Sequence, residues 1–162
     1  MRPLYLEMQA FGPYAEVERI DFRKLADIPL FLITGPTGSG KSTIFEGISF
    51  ALYGKSADDQ RDSRLGTRGF RSHHSRPELE TRVRFSFALA DAVYMIDRQP
   101  AQELPKKREP EKFRSVPAKA ELYRRTGEEG ESPGNVHELN NTGGWDLVAD
   151  KETRVTEAVQ SI

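Results

Sequence analysis

The sequence contains no cysteine, which excludes disulfide staples and zinc–thiolate centres and fits a reducing compartment. It has no surplus of charge. Its 24 basic and 25 acidic residues leave a formal net charge of −1, so no global field draws it to nucleic acid or to a membrane, and any such attraction must come from local patches. No apolar run approaches the roughly 20 residues that a bilayer-spanning helix requires, and the N-terminus carries no apolar signal segment. Internal repeats are absent. These absences predict a soluble, cytoplasmic protein with no membrane partner. At 162 residues the chain has room for about one domain with a real core.

What is present is concentrated at residues 35–42, which read Gly-Pro-Thr-Gly-Ser-Gly-Lys-Ser. This is the spacing Gly-x-x-x-x-Gly-Lys-Ser/Thr. A phosphate chain carries dense negative charge and needs many donors close together. Gly35, Gly38 and Gly40 let the backbone curl and turn its N–H groups inward. Lys41 adds a mobile cation for the β- and γ-phosphates, and Ser42 offers a hydroxyl to Mg²⁺. The flanks agree. Leu30 to Thr34 reads as a short apolar strand ahead of the loop. Ile44, Phe45, Ile48, Ala51 and Leu52 recur at helical spacing after it, and Gly54 is placed to end that helix. The helix N-terminus would add partial positive charge where the phosphates sit.

Around this unit the pattern is of strands. Leu4, Leu6, Met8 and Ala10 alternate, residues 11–14 turn, and Val17 to Phe22 return as a hairpin partner. Val83 to Leu89 alternate, Asp91-Ala92 turns, and Val93 to Arg98 come back. Residues 99–117, rich in Pro, Lys, Arg and Glu, predict an exposed excursion. Ala118 to Arg125 reads as a further strand, residues 126–144 as a loop, and Trp145 to Ala149 as a short strand. Asp150 is placed to cap a helix from Lys151 that turns Val155, Ala158, Val159 and Ile162 to one side. A doubly wound nucleotide fold would alternate strand and helix throughout. This chain predicts instead a mixed α+β lobe, with antiparallel strands around a single strand–loop–helix unit and without the parallel strands that usually complete such a core.

Hydrolysis of a nucleotide needs an acid for Mg²⁺ and a group that orients water. Asp91 and Asp150 end apolar runs as such an acid would, and each has a plainer reading, as a hairpin turn and a helix cap. No Asn-Lys-x-Asp occurs, which removes the usual guanine reader and favours adenine. Arg61, Arg64, Arg68, Arg71 and Arg76 face one acid, Asp62. That stretch suits either phosphates of DNA or nucleotide, or plain solvation. Lys106, Lys107, Arg108, Lys112 and Arg114 are interleaved with acids and read as a solvated face. His73-His74 lacks a carboxylate at ligand spacing, so a metal site there is not expected.

The ordered combination is more specific than the loop. Leu6 to Phe11 with Gly12-Pro13-Tyr14, Ile20-Asp21-Phe22, Phe31 through Ile44, Ala51-Leu52-Tyr53-Gly54, Phe70-Arg71-Ser72, Pro77-Glu78, Val83 to Phe87 and Arg98 through Arg108 together resemble the N-terminal segment of the SbcC family. These are ATPase subunits of bacterial SbcCD nucleases, kin to the Mre–Rad repair ATPases and the SMC ATPases. The resemblance implies a P-loop NTPase of the ABC-type ATPase-head class whose head is split between the two ends of a long polypeptide, with residues 1–162 as its N-terminal lobe. It implies that the Mg²⁺-contacting glutamine, the signature motif and the acidic catalytic residues lie beyond Ile162, and that a coiled coil joins the two lobes. It carries phosphate binding to Gly35, Pro36, Thr37, Gly38, Ser39, Gly40, Lys41, Ser42 and Thr43, with Lys41 catalytic and Ser42 also on Mg²⁺, and brings Arg71 near the nucleotide. Where archaeal relatives have an arginine in the first turn, this chain has Gly12. ATP and Mg²⁺ are the implied cofactors. The implied partners are the chain's own C-terminal lobe, a second head, an SbcD-like nuclease and DNA. Three other readings stand beside it: a RecF- or RecN-like repair ATPase, a small phosphotransferase using Asp91 or Asp150, and, for this segment taken alone, a non-enzymatic nucleotide-dependent interaction module.

Overall fold

The computed structural model describes residues 1–25, 28, 30–55, 69–126 and 144–162. Period-two alternation builds a sheet whose strands are β1 (Arg2–Phe11), β2 (Tyr14–Asp21), β3 (Arg82–Leu89), β4 (Ala92–Gln99), β7 (Lys119–Thr126) and β8 (Asp146–Asp150), in the spatial order β2-β1-β3-β4-β7-β8. Every pairing in it is antiparallel. Two helices, α1 (Lys41–Tyr53) and α2 (Glu152–Ser161), supply residues to the core on one face of the sheet. Leu6, Met8, Phe85, Phe87, Ile96 and Leu122 meet Phe50 and Ala51 of α1 and Val155 of α2 there. The approach of α1 to β1 is close: a Cβ on Gly47 would stand 2.6 Å from Met8 Sδ. On the opposite face, register aligns Arg19, Glu7, Arg84, Asp97 and Glu121 in one row across five strands. The signs alternate at first, and Arg19–Glu7 and Arg84–Asp97 pair at 2.8 and 2.7 Å. Such cross-strand pairs stabilise a half-solvated face modestly.

Three expectations need correction. Leu30 to Thr34 is not a strand: it has no ladder partner among the described residues, and Leu30 and Leu32 are 86% and 83% exposed. Composition supplies strand propensity, but a strand exists only where another offers its backbone, and the six sheet strands pair elsewhere. Second, residues 99–117 are more than an exposed excursion. They hold a two-stranded ladder, β5 (Gln102–Pro105) with β6 (Phe113–Val116). Its base is buried at Leu104 and Val116, and Gln102 exchanges hydrogen bonds with the Thr81 backbone at 2.7 and 3.1 Å. Third, Asp150 ends β8 rather than capping α2, which starts after Lys151 with no side-chain cap. Ile162 is exposed rather than part of the buried helix stripe. The hairpins over 2–21 and 82–99 and the helix after the glycine-rich loop stand where the pattern placed them. No helix among the described residues is long and apolar enough to cross a membrane.

Candidate phosphate-binding site

The glycine-rich loop runs into α1 without a side-chain cap. Gly40, at the N-cap, has φ 87° and ψ 7°, a left-handed conformation that a Cβ would strain. Gly54 closes the other end, donating its N–H to the Phe50 carbonyl at 2.8 Å. An uncapped helix start leaves backbone donors and a partial positive charge for an anion. Lys41 folds back over the loop, its Nζ donating to the Gly35 and Pro36 carbonyls at 2.8 and 2.7 Å. An ammonium held by neutral carbonyls at an exposed position is free to exchange them for stronger acceptors, and phosphate oxygens are such acceptors.

These residues border a cavity of about 690 Å³, within the usual range for a ligand site. Thr37, Gly38, Gly40, Lys41, Ser42 and Thr43 form one wall, and the first turn, at Gly12 and Pro13, forms another. The third wall comes from Gly69 to Arg71 and His73. That segment is stitched to the end of β1: Gly12 N–H donates to the Phe70 carbonyl and Ser72 N–H to the Ala10 carbonyl. Phe70 lies against both Phe11 and Phe50, with ring centroids 5.5 and 4.5 Å away. An aromatic cluster thus fixes the wall to α1 and β1.

Arg71 lines the cavity, but its guanidinium donates to the Leu79, Arg76 and Pro77 carbonyls at 2.6, 3.0 and 3.0 Å. Burial pulls its pKa down from the ordinary arginine value, with Glu78 opposing. Arg71 therefore shapes the loop over 76–79 as well as the cavity wall. Arg76 pairs with Glu16 at an exposed position. Arg61, Arg64 and Arg68 lie outside the described residues. Asp91 sits in the β3–β4 turn beyond the Leu89–Ala92 pair, and neither it nor Asp150 borders this cavity. Among the described lining residues Glu46 is the only carboxylate. His73 reaches the cavity, yet the described residues contain no group of three metal-ligating side chains.

Two residues escaped the reading of the sequence. Tyr14 donates its hydroxyl to the Gly40 carbonyl, a contact across 26 positions that leaves no local signal. Arg98 is almost fully buried beneath α1. Its parity with Tyr94 and Ile96 does announce a core-facing position, against the ordinary expectation for arginine.

Comparison with known proteins agrees with this architecture. Residues 5–141 match the family described as AAA domain, and the chain belongs to that family. It is an AAA-type P-loop ATPase domain of mixed α/β build around an antiparallel sheet. The chain is also similar to proteins named as the SbcC component of the nuclease SbcCD. That of Vibrio cholerae serotype O1 is 53% identical over 108 residues, 67% of this chain and 10% of the relative. That of Lactococcus lactis subsp. lactis is 44% identical over the same share of each. That of Staphylococcus aureus is 40% identical over 99 residues, 61% of this chain and 9% of the relative. The chain thus spans about a tenth of the length of the curated relatives it matches. The resemblance drawn from the sequence motifs is the one these proteins carry.

Proposed function

We propose that residues 1–162 are the ATP-binding, N-terminal lobe of an SbcC-like, ABC-type ATPase head that serves a DNA-repair nuclease in the cytoplasm. The observation that carries this reading is the uncapped start of α1, facing a cavity bordered by Thr37, Gly38 and Gly40 to Thr43 of the loop. In it, the loop amides and the helix N-terminus hold the phosphates, Lys41 neutralises the β- and γ-oxygens, and Ser42 contributes its hydroxyl to Mg²⁺. Bound Mg²⁺ supplies charge neutralisation on the phosphates. Arg71 and His73 meet the nucleotide from the opposite wall.

The lobe is completed by a C-terminal segment of the same polypeptide. Two features support this. Leu30, Phe31 and Leu32 are exposed on the segment that enters the phosphate loop, an apolar stretch of strand-forming residues suited to covering by another segment. Glu46, the one described carboxylate in the cavity wall, lies on α1 itself rather than at a strand end, so the acid that hydrolysis requires comes from elsewhere. Completed heads then pair around two nucleotides and gate an SbcD-like nuclease at DNA ends. The placement of Asp91 and Asp150 away from the cavity weighs against the free-standing phosphotransferase.

Supplying the C-terminal segment in trans tests the proposal. The isolated chain is expected to bind Mg·ATP with negligible turnover, and the added segment to restore hydrolysis and ATP-dependent pairing, both followed by phosphate release and light scattering. Robust Lys41-dependent hydrolysis by the isolated chain would instead support the phosphotransferase. The DNA partner has its own test. In the completed head, reversing charge at Arg61, Arg64 and Arg68 is expected to lower DNA affinity alike for all sequences. It is also expected to flatten the salt dependence by about one log–log unit for each phosphate no longer neutralised. An unchanged slope would mean that these arginines neutralise no phosphates.

A further inference from the structure

Between β1 and β2 the chain turns through Gly12-Pro13-Tyr14, and this turn is packed against the phosphate loop. A Cβ on Gly12 would meet Thr43 Cγ2 at 2.8 Å. A Cβ on Gly40 would lie 2.6 Å from the Tyr14 hydroxyl oxygen and 3.2 Å from Pro13 Cγ. Across that contact the Tyr14 hydroxyl donates to the Gly40 carbonyl at 3.1 Å. Gly12 and Pro13 border the cavity, whereas Tyr14 is not among the described residues that do.

We infer that Tyr14 is a positioning residue for the phosphate loop, its hydroxyl pinning the Gly40 carbonyl and so aiming the Lys41 N–H into the cavity. The inference rests on the proposed reading of that loop as the phosphate site. A peptide unit is planar and trans, so the direction of the Gly40 carbonyl sets that of the Lys41 N–H, which points the opposite way. Glycine is the residue at which a peptide plane turns most freely. Gly40, at φ 87°, therefore gains most from an outside restraint. Its carbonyl already accepts the Thr43 N–H at 3.0 Å, which directs it along the helix. The phenol supplies a second donor to the same oxygen. The Lys41 N–H is then left facing out of the helix start, where the loop encloses the cavity. Burial pushes the Tyr14 hydroxyl up from its ordinary pKa, and Glu18 adds to the rise, so the donor keeps its proton at neutral pH. Tyr14 thus acts on the site through loop geometry and not by touching the ligand.

The test compares the full chain with its Tyr14→Phe variant, which keeps the ring and removes only the donor. Two readouts are taken: the Lys41 backbone amide signal in the ligand-free protein by NMR, and Mg·ATP affinity by calorimetry. The expected result is a displaced Lys41 amide, an affinity lower by about three- to tenfold, and an unchanged cooperative thermal transition. A second variant carries 3,5-difluorotyrosine at position 14, which preserves shape and lowers the hydroxyl pKa. Relative to the unmodified chain, its affinity is expected to fall as pH rises through that ionisation, because a phenolate has no proton to donate. Wild-type affinity with an unmoved Lys41 amide in Tyr14→Phe overturns the inference. So does a pH profile for the fluorinated chain that parallels the unmodified one. Failure of the phosphate-loop reading looks different: the unmodified chain, or Lys41→Ala, then gives the wrong ATP result, while the ligand-free Lys41 amide still decides the clamp.

Discussion

Lys41→Ala is expected to abolish Mg·ATP binding and to leave the fold intact. Its ammonium donates to the exposed carbonyls of Gly35 and Pro36 and to the Ser39 hydroxyl, and Lys41 has no part in the hydrophobic core. Removing it loosens the loop without opening a cavity in the core. Toward a nucleotide the balance differs. Each charge-assisted hydrogen bond to phosphate contributes about 1.5–3 kcal/mol, so losing more than one of them lowers affinity by about a hundredfold or more. Calorimetric titration with Mg·ATP measures the loss, and thermal unfolding followed by circular dichroism checks the fold. Wild-type affinity in this variant would remove the phosphate-loop assignment.

Arg98→Ala is expected to have the largest effect on stability. Arg98 is 1% exposed at the core-facing parity of β4. Its Nε donates to the Ala51 carbonyl at 2.9 Å, and Nη2 reaches the Leu52 carbonyl at 3.4 Å and Thr156 Oγ1 at 3.3 Å. The first two acceptors belong to the last turn of α1, where helix carbonyls lack intrahelical partners and carry partial negative charge. The third belongs to α2, so one side chain joins a strand to both helices. Burial pulls its pKa down from the ordinary value, while Glu152 works the other way. Alanine leaves a side-chain-sized void and three acceptors without this donor, at a cost of about 3–5 kcal/mol. Lysine restores the charge but not the planar fork, so Arg98→Lys is expected to recover only part of it. Urea unfolding midpoints measure both. A loss below about 1 kcal/mol would mean that desolvating the guanidinium costs as much as its contacts return. Gly54 belongs to the same arrangement: at φ 73°, a Cβ there would stand 2.7 Å from Arg98 Nη1.

The hairpins, the phosphate loop and its helix were legible because their signals are local. Alternation in Val83 to Leu89 decides which side of a strand each residue takes, and a turn of two or three residues decides the partner. The spacing of Gly35, Gly38, Gly40, Lys41 and Ser42 encodes a donor-lined loop whatever surrounds it. The ordered motifs around that loop also carried the resemblance to SbcC-type proteins, since short local words survive in a chain read without coordinates.

Other features depend on groups far apart in the chain. The strand character of Leu30 to Thr34 is a property of residues, whereas a strand is a property of pairs, and no described segment pairs with it. The β5–β6 ladder stands inside a charged stretch and is tied to the Thr81 backbone through Gln102. Arg71 and Arg98 look alike in the sequence as cations. Tertiary structure made one a brace for the loop over 76–79 and the other a buried link between α1 and α2. Tyr14 reads as a turn residue, and only folding brings its hydroxyl to Gly40. Sequence by itself therefore determined the two hairpins, the glycine-rich loop and the helix after it, which follow from periodicity and from residue type. Tertiary structure decided which polar groups are buried and what each one holds, because hydrogen bonds and burial belong to contacts between segments that no local pattern specifies.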